Sequence, residues 1–321
     1  MTGPSAAQRR IVPGVRPAPA TFGAPLGADV ERPGSRQQRE VTRLLPGWLL
    51  AAIAAILCAV VLIPIVYIFL ASLNSDIGVA SGEFWPSSWT LGNYVNIWTS
   101  VGLANGLTNS IIVAGSTAVV SAAFSIGTAF VLVRYQFRGR RTILRALLGL
   151  QSIPGTLLVL PLFVLFSSSA TYLGLQVIGT RWGLFITYLT FSLPFSTWVM
   201  VTYLRGLPRE LEEAARIDGA TNLGVLTKII LPLSWPGLVV SAIFAFLPGW
   251  NDVLFASVMT NPSSQTAAVA LQVFSSSTEG GAIPLYGQMM AASLVCAAPV
   301  VLIYMFFQRY LVGGLTAGGV K

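Results

Sequence analysis

Six long apolar runs constrain this 321-residue chain more than any other feature. They fall at about 46–72, 108–133, 143–168, 182–204, 237–259 and 284–308. Each is close to the roughly 20 residues that a helix rising about 1.5 Å per residue needs to cross a bilayer. In lipid every backbone N–H and C=O must be satisfied within the protein, so an uninterrupted run of this length is helical. The expected fold is an all-α membrane protein of about six transmembrane helices. Composition agrees: 54% of residues are hydrophobic and 9% charged, against about 25% charged in an ordinary soluble domain.

The basic residues set the orientation. Arg9, Arg10, Arg16, Arg32, Arg36, Arg39 and Arg43 precede the first run. Arg134, Arg138, Arg140, Arg141 and Arg145 lie between the second and third, and Arg205, Arg209, Arg216 and Lys228 between the fourth and fifth. Arg309 and Lys321 follow the last, which leaves Arg181 alone on the opposite side. By the positive-inside bias both termini are expected to be cytoplasmic. The net charge of +8 is thus a topology signal, and no nucleic-acid partner is expected. Membrane lipid is the chain's surroundings.

Residues 1–45 are rich in Pro, Gly, Ala and Arg without apolar periodicity and read as a disordered cytoplasmic tail. Arg9-Arg10 is a twin-arginine pair, but no apolar region follows it closely, so a secretion signal is not expected. The permease domain is expected over 46–308 and a cytoplasmic C-terminal tail over 309–321. The outer segments carry Asp76, Glu83, Trp85, Trp89, Tyr94 and Trp98, a mix that suits interfacial anchoring or contact with an external partner. A second outer loop, about 260–283, is small and polar and reads as an exposed loop.

Catalysis finds little support. The sequence has no His, and Cys58 and Cys296 both lie in apolar runs without disulfide or metal spacing. No catalytic residue, metal site or bound cofactor is expected. No G-x-x-x-x-G-K-[ST] stretch occurs in the sequence, so an ATPase role is not expected of it either.

Residues 205–237, RGLPRELEEAARIDGATNLGVLTKIILPLSWPG, differ from the rest. Pro208 suits a helix first turn, and Glu210, Glu212 and Glu213 complement its dipole. Ala214 and Ala215 favour helix, and Gly219 can end it in a left-handed conformation. Thr221 or Asn222 can cap a second short helix running towards Pro232. The expected element is a cytoplasmic helix-turn-helix lying just beneath the membrane.

The residues Glu213-Ala214-Ala215, Asp218-Gly219 and Ile229-x-Leu231-Pro232 are similar to the EAA loop of ABC importer permeases. Asn109-Ser110, Pro194-Phe195, Trp250-Asn251-Asp252 and the end of the chain from Gln308 to Lys321 resemble the carbohydrate branch, of the maltose-importer type. The likeness covers about 46–321, with Asp252 where that family commonly has Glu and Gly319 where it commonly has Ala. It implies a bacterial inner-membrane permease subunit that forms half of a sugar path. Its partners would be a second homologous permease, two ATPase subunits holding ATP and Mg, and an extracytoplasmic sugar-binding protein. Glu213, Ala214, Ala215, Asp218, Gly219, Ile229, Leu231 and Pro232 would couple to the ATPase. The tail from Gly313 to Lys321, with Gly313, Gly314, Leu315 and Thr316 foremost, would contact it.

Asp252 is the one acid well inside an apolar run, which is costly and calls for a cavity or a partner. With Trp250 and Asn251 it either lines the sugar path or makes a structural contact at a kink set by Pro248 and Gly249. Small residues recur every four positions at Ser110, Ala114, Ala118 and Ala122, and again at Ser241, Ala245 and Gly249, which predicts close helix packing. The competing classes are an ion-gradient-driven carrier, an ABC permease for a non-sugar solute, and a membrane enzyme. A lone intramembrane acid and the lack of an obvious internal repeat argue against the first. The lack of a carboxylate or His cluster argues against the last.

Overall fold

The computed structural model describes residues 46–278 and 284–316. The readings of 1–45, of 279–283 and of 317–321 lie outside the described residues. The chain divides into two compact units, Met1–Val61 and Leu62–Lys321. In the first, the Pro46 carbonyl accepts the N–H groups of Leu49 and Leu50 as helix α1, Gly47–Ser72, begins. Its 26 residues amount to about 39 Å of helix, more than a hydrocarbon core of about 30 Å requires. Pro64 lies within it, as membrane helices tolerate.

In the second unit Leu62, Ile63, Ile65, Val66 and Phe69 are exposed, whereas Leu70, Ala71 and Ser72 are buried. There the chain turns through α2 (Asp76–Ala80) and α3 (Gly92–Ser100). Asn93 Nδ2 donates to the Ser72 and Asn74 carbonyls at 2.9 and 2.8 Å, satisfying orphan acceptors where α1 ends. Helix α4, Leu103–Arg134, follows and lies against α7 (Arg181–Arg205) and α10 (Trp235–Asn251) at the centre of the unit.

The small-residue stripes make this packing possible. Ser110, Ala114, Ala118, Ala122, Ser241 and Ala245 are buried. A Cβ on Gly249 would sit 3.1 Å from Ala114 Cα, so the helix backbones meet too closely there for a side chain. Hydroxyls join the three helices. Ser121 Oγ donates to Ser196 Oγ at 3.0 Å, Ser196 Oγ to the Ser241 carbonyl at 3.4 Å, and Ser125 Oγ lies 3.4 Å from Ser241 Oγ.

Five described helices or helical runs are long and apolar enough to cross a membrane, and a bent pair counted as one span makes six. Two of the expected runs differ in detail. The run placed at 143–168 is two elements: the short helix α5 (Arg140–Gln151), then an apolar span over Gly155–Leu173 that ends in α6 (Val159–Leu173). Pro154 lacks an N–H and disfavours helix at the residue before it, which separates them. The run placed at 237–259 is also broken. Helix α8 (Glu210–Ile217) and α9 (Asn222–Leu233) come first, and α9 meets α10 at a bend of 78°. α10 then stops at Asn251, and α11 (Leu254–Met259) restarts after Asp252 turns extended at ψ 134°.

After α12 (Ala267–Thr278) comes α13, Tyr286–Thr316. It continues as helical backbone past the expected end of the last span at 308. The segment expected as a second outer loop, about 260–283, is helical where α12 runs through it. The aromatic segment beyond α1 is exposed at Trp85, Trp89 and Trp98. Its Asp76 is engaged: Oδ1 accepts the Gly287 N–H at 2.8 Å, in the first turn of α13.

Candidate functional site

The loop between α7 and α10 has the expected grammar. Glu210, Glu212 and Glu213 occupy the first turn of α8 and Arg216 the last, matching the helix dipole at both ends. At its C-terminus the Ala220 N–H reaches the Ala215 carbonyl at 2.9 Å and the Gly219 N–H the Arg216 carbonyl at 3.1 Å. This is a Schellman pair, and it requires the positive φ of 85° that Gly219 adopts. Thr221 rather than Asn222 is the cap, its Oγ1 accepting the Gly224 N–H at 3.1 Å.

Helix α9 carries a π turn at Leu226–Ile230 and ends at Ser234. A continuous helix would need the N–H of residue 236 to bond the carbonyl of residue 232. Pro236 has none, so the chain bends there. Pro232, Leu231 and Ile229 thus stand on the arm just before the bend, Leu231 exposed and Ile229 half-buried.

Helix α8 is two-faced. Glu213, Ala214 and Asp218 are exposed, and so is Ile217, at 87%. Leu223, at the start of α9, is exposed as well. The other face carries Ala215, which with Ala220 packs on a core of Phe130, Val133, Leu204, Val225 and Ile230. Glu212 is buried on this inner side and forms an ion pair with Arg134, the last residue of α4. Arg134 Nη2 also donates to the Leu207 carbonyl at 3.4 Å.

Sequence reasoning placed Arg134 only among topology charges and Glu212 only among dipole acids. The two are far apart in sequence and share no spacing signal. A hint lay in Glu212 itself, since the dipole alone does not require three acids in one turn. Ile217 and Leu223 were also missed, although apolar residues flanked by charges in a polar loop invite the question of what covers them.

The intramembrane candidates separate. Trp250 and Asn251 line a cleft of about 360 Å³ with Leu271 of α12 and Ser293, Cys296 and Val300 of α13. Trp250 Nε1 donates to the Cys296 carbonyl at 3.2 Å, which fixes the indole at the cleft wall. Asp252, expected beside them, is not among the lining residues. Its Oδ2 accepts Tyr188 Oη–H at 2.8 Å and the Ala256 N–H at 3.1 Å. Its carboxylate therefore holds the break between α10 and α11, the kink contact weighed from sequence. Pro248 contributes by leaving a gap in the ladder of α10.

Asn109 and Ser110 also acquire a structural task. Asn109 Nδ2 donates to the Ser263 and Gln265 carbonyls at 3.1 and 2.8 Å, and Ser110 Oγ accepts the Ala267 N–H at 2.9 Å, where α12 starts. A turn closed by Asn261 Oδ1, accepting from Ser263 and Ser264, lies between them. The segment expected as the second outer loop is thus anchored over 261–267. Among the described residues no group of His, Cys, Asp or Glu is arranged to hold a metal. Gly313, Gly314, Leu315 and Thr316 continue α13 as helix, and the remainder of the tail lies outside the described residues.

A helical bundle with bent and broken spans, a polar loop pinned beneath it and a polar-edged cleft within it defines a multi-pass membrane transport component. The chain belongs to the family of binding-protein-dependent transport system inner membrane components, whose profile matches residues 119–316. It is 34% identical over 261 residues to the trehalose transport system permease protein SugB of Mycobacterium tuberculosis, covering 81% of this chain and 92% of that one. It is 34% identical over 277 residues to the trehalose/maltose transport system permease protein MalG of Thermococcus litoralis, covering 85% and 96%. Its fold superposes on a chain of a bacterial ABC transporter involved in the import of the acidic polysaccharide alginate, with a TM-score of 0.68 and 23% identity over 86% of this chain and 98% of that one.

Proposed function

We infer that this chain is one permease half of an ATP-driven importer of a sugar or oligosaccharide, with the loop at 205–237 and both termini on the cytoplasmic side. The observation that carries the reading is the two-faced helix α8. Its inner face is packed and ion-paired, while Glu213, Ala214 and an almost fully exposed Ile217 face outward. An apolar side chain so exposed among charges, outside the spans, suits a groove on a soluble partner. The partner is the ATPase subunit, which supplies the ATP and Mg. Ile229, Leu231, Pro232, Asp218 and Gly219 shape the same element, and Gly313, Gly314, Leu315 and Thr316, at the end of α13, would contact the ATPase as well.

A second homologous permease completes the path, and a sugar-binding protein delivers from outside. The carbohydrate assignment is supported by relatives named for trehalose and for trehalose/maltose transport. Trp250 and Asn251 would offer solute an indole face and an amide, the groups that hold sugars by stacking and hydrogen bonding. Asp252 would orient the segment from behind.

The test is purification of the tagged chain from its native membrane in mild detergent. Co-purification of a Walker-motif ATPase and a second permease with an EAA loop is the expected result. A folded chain recovered alone or only with copies of itself would overturn the reading and favour a gradient-driven carrier.

A further inference from the structure

The ion pair beneath α8 has no obvious reason to exist for stability. Removing a carboxylate and a guanidinium from water is costly, and packed apolar residues of the same volume usually serve a fold as well or better. Here both side chains are almost wholly buried, at 6% and 5% exposure. Nor is the site fully satisfied: among the described residues the buried Arg134 Nε has no hydrogen-bond partner. Glu210 and Glu213 already complement the helix dipole from exposed positions, so Glu212 is not needed for that either.

The pair's placement explains it better. α8 is tethered through the chain to α7 on one side and to α9 and α10 on the other. Arg134 ends α4, which is continuous with neither. Its guanidinium grips the inner face of α8 at Glu212 and the carbonyl of Leu207, in the turn that leads from α7 into α8. α4 is also the helix that lies against both α7 and α10, with the serine hydroxyls joining all three.

We propose that Arg134 and Glu212 are positioning residues that clamp α8 to the end of α4, making the second span a strut through which a load on the outer face of α8 enters the bundle. Without the clamp, movement of α8 would be absorbed in the turn at Gly206 and the bend at Ser234. The proposal rests on the coupling reading given above.

The test uses the assembled importer, trapped with ATP, Mg and vanadate, and follows amide hydrogen exchange in two segments, 210–219 and 128–134. In the wild-type complex both segments are expected to change on trapping. In the Arg134→Met/Glu212→Gln double variant, which leaves no unpaired charge, the change in 210–219 persists. The change in 128–134 shrinks about fivefold or more, the scale of a modest coupling free energy between two sites. The charge swap Arg134→Glu/Glu212→Arg, which keeps the ion pair but loses the donor to the Leu207 carbonyl, restores it in part.

A change in 128–134 that stays at the wild-type size in an assembled double variant overturns the proposal. Should the double variant not assemble, Glu212→Asp, which keeps the charge and shortens the reach, is expected to give the same selective loss, and an undiminished response there overturns it equally. If segment 210–219 of the wild type does not respond to trapping at all, the coupling reading itself fails, which is a separate outcome.

Discussion

Replacing Asp252 with Ala separates a structural carboxylate from a solute-binding one. The carboxylate makes two contacts, at 2.8 Å to the hydroxyl of the buried Tyr188 and at 3.1 Å to the Ala256 N–H. A hydrogen bond to a charged group contributes about 1.5–3 kcal/mol, and loss of a side-chain acceptor at a helix N-terminus costs about 1 kcal/mol. The substitution should therefore destabilise the chain by about 2.5–4 kcal/mol. At about 2–4 °C per kcal/mol for a chain of this order of size, the unfolding midpoint should fall by about 5–15 °C. The assay is thermal unfolding of the purified chain in detergent, followed by tryptophan fluorescence. Trp250, two residues away, is one of the eight tryptophans that carry the signal.

Two companion variants apportion the loss. Tyr188→Phe removes the first contact and leaves the second, so it should cost about 1.5–3 kcal/mol. Asp252→Asn keeps an acceptor for both donors and should cost least, about 1 kcal/mol. The reasoning is refuted if Asp252→Ala unfolds at the wild-type temperature yet abolishes uptake, because the carboxylate would then serve solute and not the break between α10 and α11.

Other variants probe the remaining elements. Gly249→Val should cost about 1–3 kcal/mol by forcing α10 away from Ala114, read as a lowered midpoint in the same unfolding assay. Gly219→Ala should strain the left-handed turn by about 1–2 kcal/mol, and Gly219→Pro should also remove the N–H that bonds Arg216. Both chains should insert normally while retaining less ATPase on co-purification, the proline more severely. Ser110→Ala strands the buried Ala267 N–H and should cost about 1–3 kcal/mol, seen as faster amide exchange over 263–270. Deleting Gly313–Lys321 should leave ATP hydrolysis running but no longer responsive to loaded binding protein, measured as the ratio of stimulated to basal rate.

The parts legible in the sequence were those governed by local rules. Run length gave the span count because lipid leaves the backbone no alternative to helix. Gly219, Thr221 and the first-turn acids gave the loop its turn and caps because each acts within a few residues of itself. The interruptions were harder to read. Hydropathy alone does not distinguish α5, with Arg140, Arg141 and Arg145 among its apolar residues, from the start of a span, and Pro154 was the overlooked punctuation. Asp252 was readable as costly but not as satisfied, because its partner Tyr188 stands on another helix and a phenol in an apolar run carries no label.

The same limit governs the candidate site. The exposed side of α8 resembled a known loop, so Glu213 to Gly219 stood out in sequence. What holds that side outward is the buried side, and it depends on a long-range contact between Glu212 and Arg134. Arg134 carried a sufficient explanation already, as one more positive charge in a connection expected to be cytoplasmic. A charge that serves topology can remain in water at the surface, as Arg138 and Arg141 do. Burial of Arg134 against the single buried acid of α8 is what topology does not require, and so it is there that the loop's mechanical attachment is to be sought.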